Sequence, residues 1–155
     1  MSDPQPHDCA DFVTGVILGA VFTALTFVST KARCEDYVGV NTISRHFTGD
    51  HEKYNEKNWG AFYEHRTPDG VTGVQIGLYN NSYYDRTVYV VGILQPWRVG
   101  DVQLGMFMGP AWGYKENGAP SLLAGGVVTW HLTPTVALQA IVAPTVVGLQ
   151  FKTPF

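Results

Sequence analysis

From Tyr37 to Lys152, apolar and non-apolar residues alternate with a period of two, and Gly, Pro, Asn and Asp punctuate the pattern at short intervals. A period of two is the repeat of a β-strand, whose successive side chains point to opposite faces. The alternation predicts eight strands: Tyr37–Phe47, Trp59–Thr67, Val71–Asn81, Thr87–Pro96, Val102–Tyr114, Leu122–Leu132, Val136–Ala143 and Val147–Lys152. Pro68-Asp69-Gly70, Gly100-Asp101, Glu116-Asn117-Gly118 and Thr133-Pro134 stand between them and supply turn chemistry. Most segments are near the roughly 9–11 residues that a tilted membrane strand needs, and the last two are shorter.

The two faces differ. In the third segment Val74, Ile76 and Leu78 oppose Gly73, Gln75, Gly77 and Tyr79; in the fifth, Val102, Leu104, Met106 and Met108 oppose Gln103, Gly105, Phe107 and Gly109. A narrow barrel in lipid needs an apolar outside and a small, polar or aromatic inside. A soluble sandwich or lipocalin-like barrel shows the same alternation with the apolar face inward. Three features favour lipid. Charged residues are only 15% of the chain, which is sparse for a water-facing surface. Trp59, Trp97, Trp112 and Trp130 lie near strand ends, and the chain closes on Phe155. The expected fold is an all-β, eight-stranded antiparallel up-and-down membrane barrel over 36–155.

Residues 1–35 form a separate segment. Phe12–Thr30 is an uncharged apolar run of 19 residues, ending before Lys31 and Arg33. As a signal peptide it lies in the right place, but Asp3, Asp8 and Asp11 precede it instead of basic residues. As a retained anchor it has the length, and Gly15 and Gly19 have the spacing for a membrane-helix partner. Export and an outer-membrane location are the favoured reading; anchorage by Phe12–Thr30 in the inner membrane is the alternative. Cys9 and Cys34 flank this run, so a helix between them would keep them beyond disulfide reach.

The net charge of −3 provides no basic stripe for nucleic acid. The histidines (His7, His46, His51, His65, His131) have neither metal-ligand spacing nor an accompanying carboxylate cluster, and no phosphate loop is present, so no metal or cofactor is expected. His65 and His131 read as rim or lumen residues. His46 and Ser82 differ. His46 closes the first strand and Ser82 follows the third, which an up-and-down barrel brings to the same rim. An imidazole beside a hydroxyl is a general base beside a nucleophile, and Asn81 stands ready to orient the pair or assist an oxyanion.

Two stretches carry a family resemblance: Tyr54-Asn55-Glu56-Lys57-Asn58-Trp59-Gly60 and Gly77-Leu78-Tyr79-Asn80-Asn81-Ser82-Tyr83. They resemble, respectively, a Tyr-Asn-Glu-Arg-Pro-Trp-Gly loop and a segment holding a catalytic Asp-Ser pair in the outer-membrane lipid A palmitoyltransferases. Those are eight-stranded barrels that move a palmitoyl chain from a phospholipid to lipid A. The resemblance implies acyl transfer with membrane lipids (phospholipid and lipid A) as partners, Ser82 as nucleophile or positioning hydroxyl, His46 as base and Asn81 as hydrogen-bonding partner. It also implies that Gly73, Gly77 and Gly105 leave room for an acyl chain in the lumen. Asn81 stands where the family has aspartate, and the family's histidine position falls on Ser44, two residues before His46. The loop before Tyr54 is also shorter, and Phe12–Thr30 is uniformly apolar where the family has a two-faced helix. The rival reading is a non-enzymatic outer-membrane or phage-encoded structural or interaction barrel that kept the fold without the activity.

Overall fold

A computed structural model describes residues 35–47, 53–115 and 117–155; the apolar run Phe12–Thr30, Gly15, Gly19, both cysteines, His7 and His51 lie outside them. Eight strands follow one another: β1 (Glu35–His46), β2 (Gly60–Arg66), β3 (Thr72–Asn80), β4 (Arg86–Val99), β5 (Val102–Trp112), β6 (Ser121–Thr133), β7 (Val136–Ala143) and β8 (Val146–Pro154). Each pairs antiparallel with the next, and β8 pairs with β1 from Tyr37↔Pro154 to His46↔Val146, closing the barrel. Closure leaves no strand with unpaired backbone groups, a condition that water-free surroundings impose. The strands sit where the alternation predicts, with β4 and β8 longer at their ends. The turn at Pro68-Asp69-Gly70 is closed by Gly70 N–H to Thr67 O at 2.8 Å, with Gly70 at φ 67°, a left-handed value that glycine takes without a Cβ penalty.

The apolar face points outward. Val74, Ile76, Met106 and Met108 are exposed on the wall, Met108 at 58%, whereas Gln75 and Phe107 between them are buried. Trp59 and Trp112 ring one end of this apolar wall, and Trp97 and Trp130 the other.

Inside are two layers. The apolar one holds Phe62, Tyr89, Val91, Ile93, Phe107 and Val127. The polar one centres on Glu64, which has no exposed surface. Its Oε1 accepts from Arg66 Nε at 2.5 Å and Lys152 Nζ at 2.6 Å, and its Oε2 from Gln75 Nε2 at 2.9 Å. Gln139 Oε1 accepts a further bond from Lys152 at 2.8 Å, and Gln95 accepts from Arg66. Buried charge is tolerated when every group is paired and hydrogen-bonded.

This filling corrects one expectation. Gly73, Gly77 and Gly105 do not open a lumen for an acyl chain. A Cβ on Gly77 would fall 2.7 Å from both Phe62 Cβ and the Tyr89 hydroxyl, and one on Gly73 would meet Arg66 Cδ at 2.8 Å. At Gly105 the backbone of Leu94 lies 1.8 Å from the same position. The missing side chains admit large inward neighbours and close strand approach.

The two longest connections, 47–59 and 113–120, lie at the same rim, together with 81–85 and the two-residue 144–145 turn. The turns at 67–71, 100–101 and 134–135 share the other rim with Phe155.

Candidate active site at the long-loop rim

The site begins with an irregularity in β1. Asn41 pairs with Gln150 and Ser44 with Gly148, so Thr42 and Ile43 oppose the single residue Leu149. Such a bulge shifts the inward phase by one residue. Tyr37 and Asn41 are buried before it and His46 after it, although His46 stands an odd number of positions from both. Unbroken alternation from Tyr37 would have turned His46 outward.

His46 is 7% exposed, and its Nε2 lies 2.9 Å from Ser82 Oγ. The Tyr54 ring stacks on the imidazole, centroids 4.4 Å apart and planes at 16°. Tyr54 in turn meets Tyr83 edge-on at 6.0 Å, and Tyr83 meets Tyr114 at 6.4 Å. Burial pushes the Tyr114 hydroxyl above its ordinary range, against the opposing hydrogen bond with Tyr79, so it remains neutral.

The Tyr54–Gly60 stretch holds Ser82 in place through its two asparagines. Asn55 N–H donates to Ser82 O at 2.9 Å, and Asn55 Nδ2 donates to Asn81 O at 3.1 Å. Asn58 Nδ2 donates to Asn80 O at 2.8 Å. Ser44, on the same face as His46, hydrogen-bonds Asn58 Oδ1 and so anchors the loop to β1. Asn55, Asn58, Ser44 and Tyr54 were not among the site residues expected from the sequence. Their signal was two amides three positions apart in a loop otherwise short of anchors.

Asn81 is fully buried, and neither of its side-chain atoms touches the His46–Ser82 pair. Its Nδ2 donates to Gly113 O at 2.8 Å and Thr87 Oγ1 at 3.1 Å. Its Oδ1 accepts from the N–H groups of Tyr83 at 2.8 Å and Asp85 at 3.1 Å, and its carbonyl accepts from Tyr84 N–H at 3.1 Å. An asparagine that caps its own turn is a local backbone device. Tyr84 sits within that turn at φ 68°, costly for a residue with a Cβ. Asn81 therefore orients Ser82 only through the main chain, and the N–H groups of Tyr83, Tyr84 and Asp85 are already engaged.

The other described histidines, His131 and His65, lie away from the pair. His131 Nε2 lies 3.2 Å from Gln103 Oε1, and His65 Nδ1 lies 2.7 Å from Asp36 Oδ1 near the opposite rim. Among the described residues no group of three His, Cys, Asp or Glu side chains is placed to hold a metal ion.

The surface and interior define a class: a closed, eight-stranded, membrane-spanning type of barrel with a hydroxyl–imidazole pair at its long-loop rim. No family model matches the chain, and no curated protein matches it. Among solved structures it is similar to the Yersinia pestis outer membrane protein Ail in a phospholipid bilayer nanodisc, at 12% identity over 78% of this chain and 99% of that one, with a TM-score of 0.47.

Proposed function

We propose that this chain is an outer-membrane barrel whose outward rim transfers an acyl chain from a phospholipid to lipid A or a related hydroxyl acceptor. The observation that carries the reading is the 2.9 Å contact between Ser82 Oγ and His46 Nε2. The apolar wall between tryptophan belts supports the membrane, and the placement of the two longest connections, 47–59 and 113–120, at one end supports an outward-facing rim, as outer-membrane barrels have short periplasmic turns.

In this reading His46 Nε2 accepts the Ser82 proton as Oγ attacks the ester carbonyl carbon of the donor. The carbonyl–glycerol C–O bond then breaks, and the imidazolium returns the proton to the departing alkoxide. The acceptor hydroxyl loses its proton to Nε2, attacks acyl-Ser82 and releases the serine, which regains that proton. Since side chains fill the interior, the acyl chain lies against the outside of the wall. These proton and acyl transfers call on no metal or organic cofactor.

A non-enzymatic structural or interaction barrel is the second reading, favoured by one observation. The N–H groups of Tyr83, Tyr84 and Asp85 all point to Asn81, so none of them is poised for an oxyanion. Mass spectrometry of lipid A decides. Expression should add an acyl chain, and Ser82→Ala or His46→Ala should abolish the addition while heat-modifiable gel migration stays intact. Unchanged lipid A under wild-type expression sinks the enzyme.

A further inference from the structure

On the outer wall of β1 and β8, below the return of the β1–β2 connection, runs a groove of about 420 Å³. Ile43, Val147 and Leu149 form its apolar side, and Arg45, Glu56 and Lys57 its rim. Its volume lies within the range of about 300–1,000 Å³ common to small-molecule sites. We propose that this groove binds one phosphate-bearing acyl lipid, with a chain against the apolar side and the phosphate between Arg45 and Lys57. The inference rests on the membrane placement and is independent of the dyad.

Charge and position select this occupant. Arg45 is held on one side only, by Nη1 to Glu56 Oε2 at 3.0 Å, and its side chain is 61% exposed. A guanidinium has five N–H donors in a planar fork, so donors remain for phosphate oxygens. Lys57 is exposed and makes no ion pair among the described residues. Among the described lining residues two cations stand against one carboxylate. Directly below, Ile43, Val147 and Leu149 continue the apolar belt, so a lipid reaches both parts without leaving its leaflet. A free anion satisfies only the rim, and an uncharged chain only the wall.

The test uses the full-length chain in nanodiscs and in detergent. Dioleoylphosphatidic acid is titrated and bound lipid counted by native mass spectrometry, with dioleoylglycerol (the same chains without phosphate) and inorganic phosphate as controls. One saturable phosphatidic acid should bind, and neither control should match it. Arg45→Gln with Lys57→Gln should weaken binding about tenfold, the order carried by a lost charge-assisted hydrogen bond. Leu149→Trp, which fills the groove and spares the charges, should weaken it similarly; Val147→Phe replaces that variant if it fails to migrate as a folded barrel. Unchanged binding by the charge variant overturns the proposal. So does loss with the charge variant alone, which means headgroup attraction without a groove, and so does full competition by inorganic phosphate. Failure of the wild type to insert into nanodiscs counts against the membrane reading instead.

Discussion

The imidazole of His46 and the ring of Tyr54 lie stacked with centroids 4.4 Å apart, on the face of the barrel interior from which His46 Nε2 reaches Ser82 Oγ. The stack fixes the plane of the imidazole, and that plane decides whether Nε2 points at the hydroxyl. Aromatic pairs of this kind contribute about 0.5–1.5 kcal/mol beyond their area burial. Tyr54→Phe keeps the stacking ring and should leave stability and the proposed acyl transfer near wild type. Tyr54→Ala should lower stability by about that amount and slow transfer about tenfold through lost positioning. Urea unfolding in detergent and lipid A mass spectra read the two effects separately.

A second expectation concerns the bulge. Thr42 is one of the two β1 residues opposite Leu149, its hydroxyl tied to Leu149 O at 2.9 Å. Deleting Thr42 should straighten the strand and leave Ser44 and His46 facing inward. Deleting Arg45 should move His46 to an outward position and separate it from Ser82. With Cys9 and Cys34 replaced by serine, oxidative crosslinking of His46→Cys to Ser82→Cys reports the contact. The bond should form in the background and Thr42-deleted chains and fail in the Arg45-deleted chain. Arg45→Gln should crosslink normally.

That bulge also marks where the sequence stops being legible. Strand number and pairing followed from a period of two. The outward side of the apolar face followed instead from the sparse charge and the tryptophans near strand ends, because alternation over Val74–Leu78 or Met106–Met108 fits a closed barrel with either face inward. The rim shared by His46 and Ser82 followed from strand order alone. The side His46 faces did not, since one unpaired residue in β1 reverses the phase and no residue type there announces it. The filled lumen was hidden for a related reason. Gly77 reads as empty space in sequence, and only the pairing Phe62↔Gly77 and Gly77↔Tyr89 shows two rings converging on it. Asn81 looked like a lost catalytic carboxylate, and the bonds that define its task come from Tyr83, Asp85, Thr87 and Gly113.

The interior ion network gives a stability test. Removing Glu64 leaves the buried Lys152 and Arg66 side chains without the carboxylate that pairs them. Glu64→Ala should therefore cost about 3–5 kcal/mol, as broken buried pairs do. Replacing Glu64, Arg66 and Lys152 together with apolar residues of similar volume should cost less than this single change, because no charge is then stranded. Denaturant unfolding of the refolded barrel in micelles measures both. A triple variant less stable than Glu64→Ala would mean that the network contributes more than mutual neutralisation.

Placing at position 81 the aspartate of the lipid A palmitoyltransferases that this stretch resembles should not create a catalytic carboxylate. Asn81 Nδ2 is 2.8 Å from Gly113 O and 3.1 Å from Thr87 Oγ1, and the first of these partners only accepts. An aspartate there places a carboxylate oxygen against a carbonyl oxygen with no proton between them, in a site without solvent. The Tyr83 and Asp85 N–H groups still find an acceptor, so the turn is weakened on one side only. The expected cost is about 1–3 kcal/mol, the range for a buried polar group left unsatisfied. Since the side chain points away from His46, the new charge is not positioned to orient the imidazole, and lipid A acylation should not rise. A gain in acylation by Asn81→Asp, with stability unchanged, would mean that the turn rearranges to bring residue 81 onto the dyad.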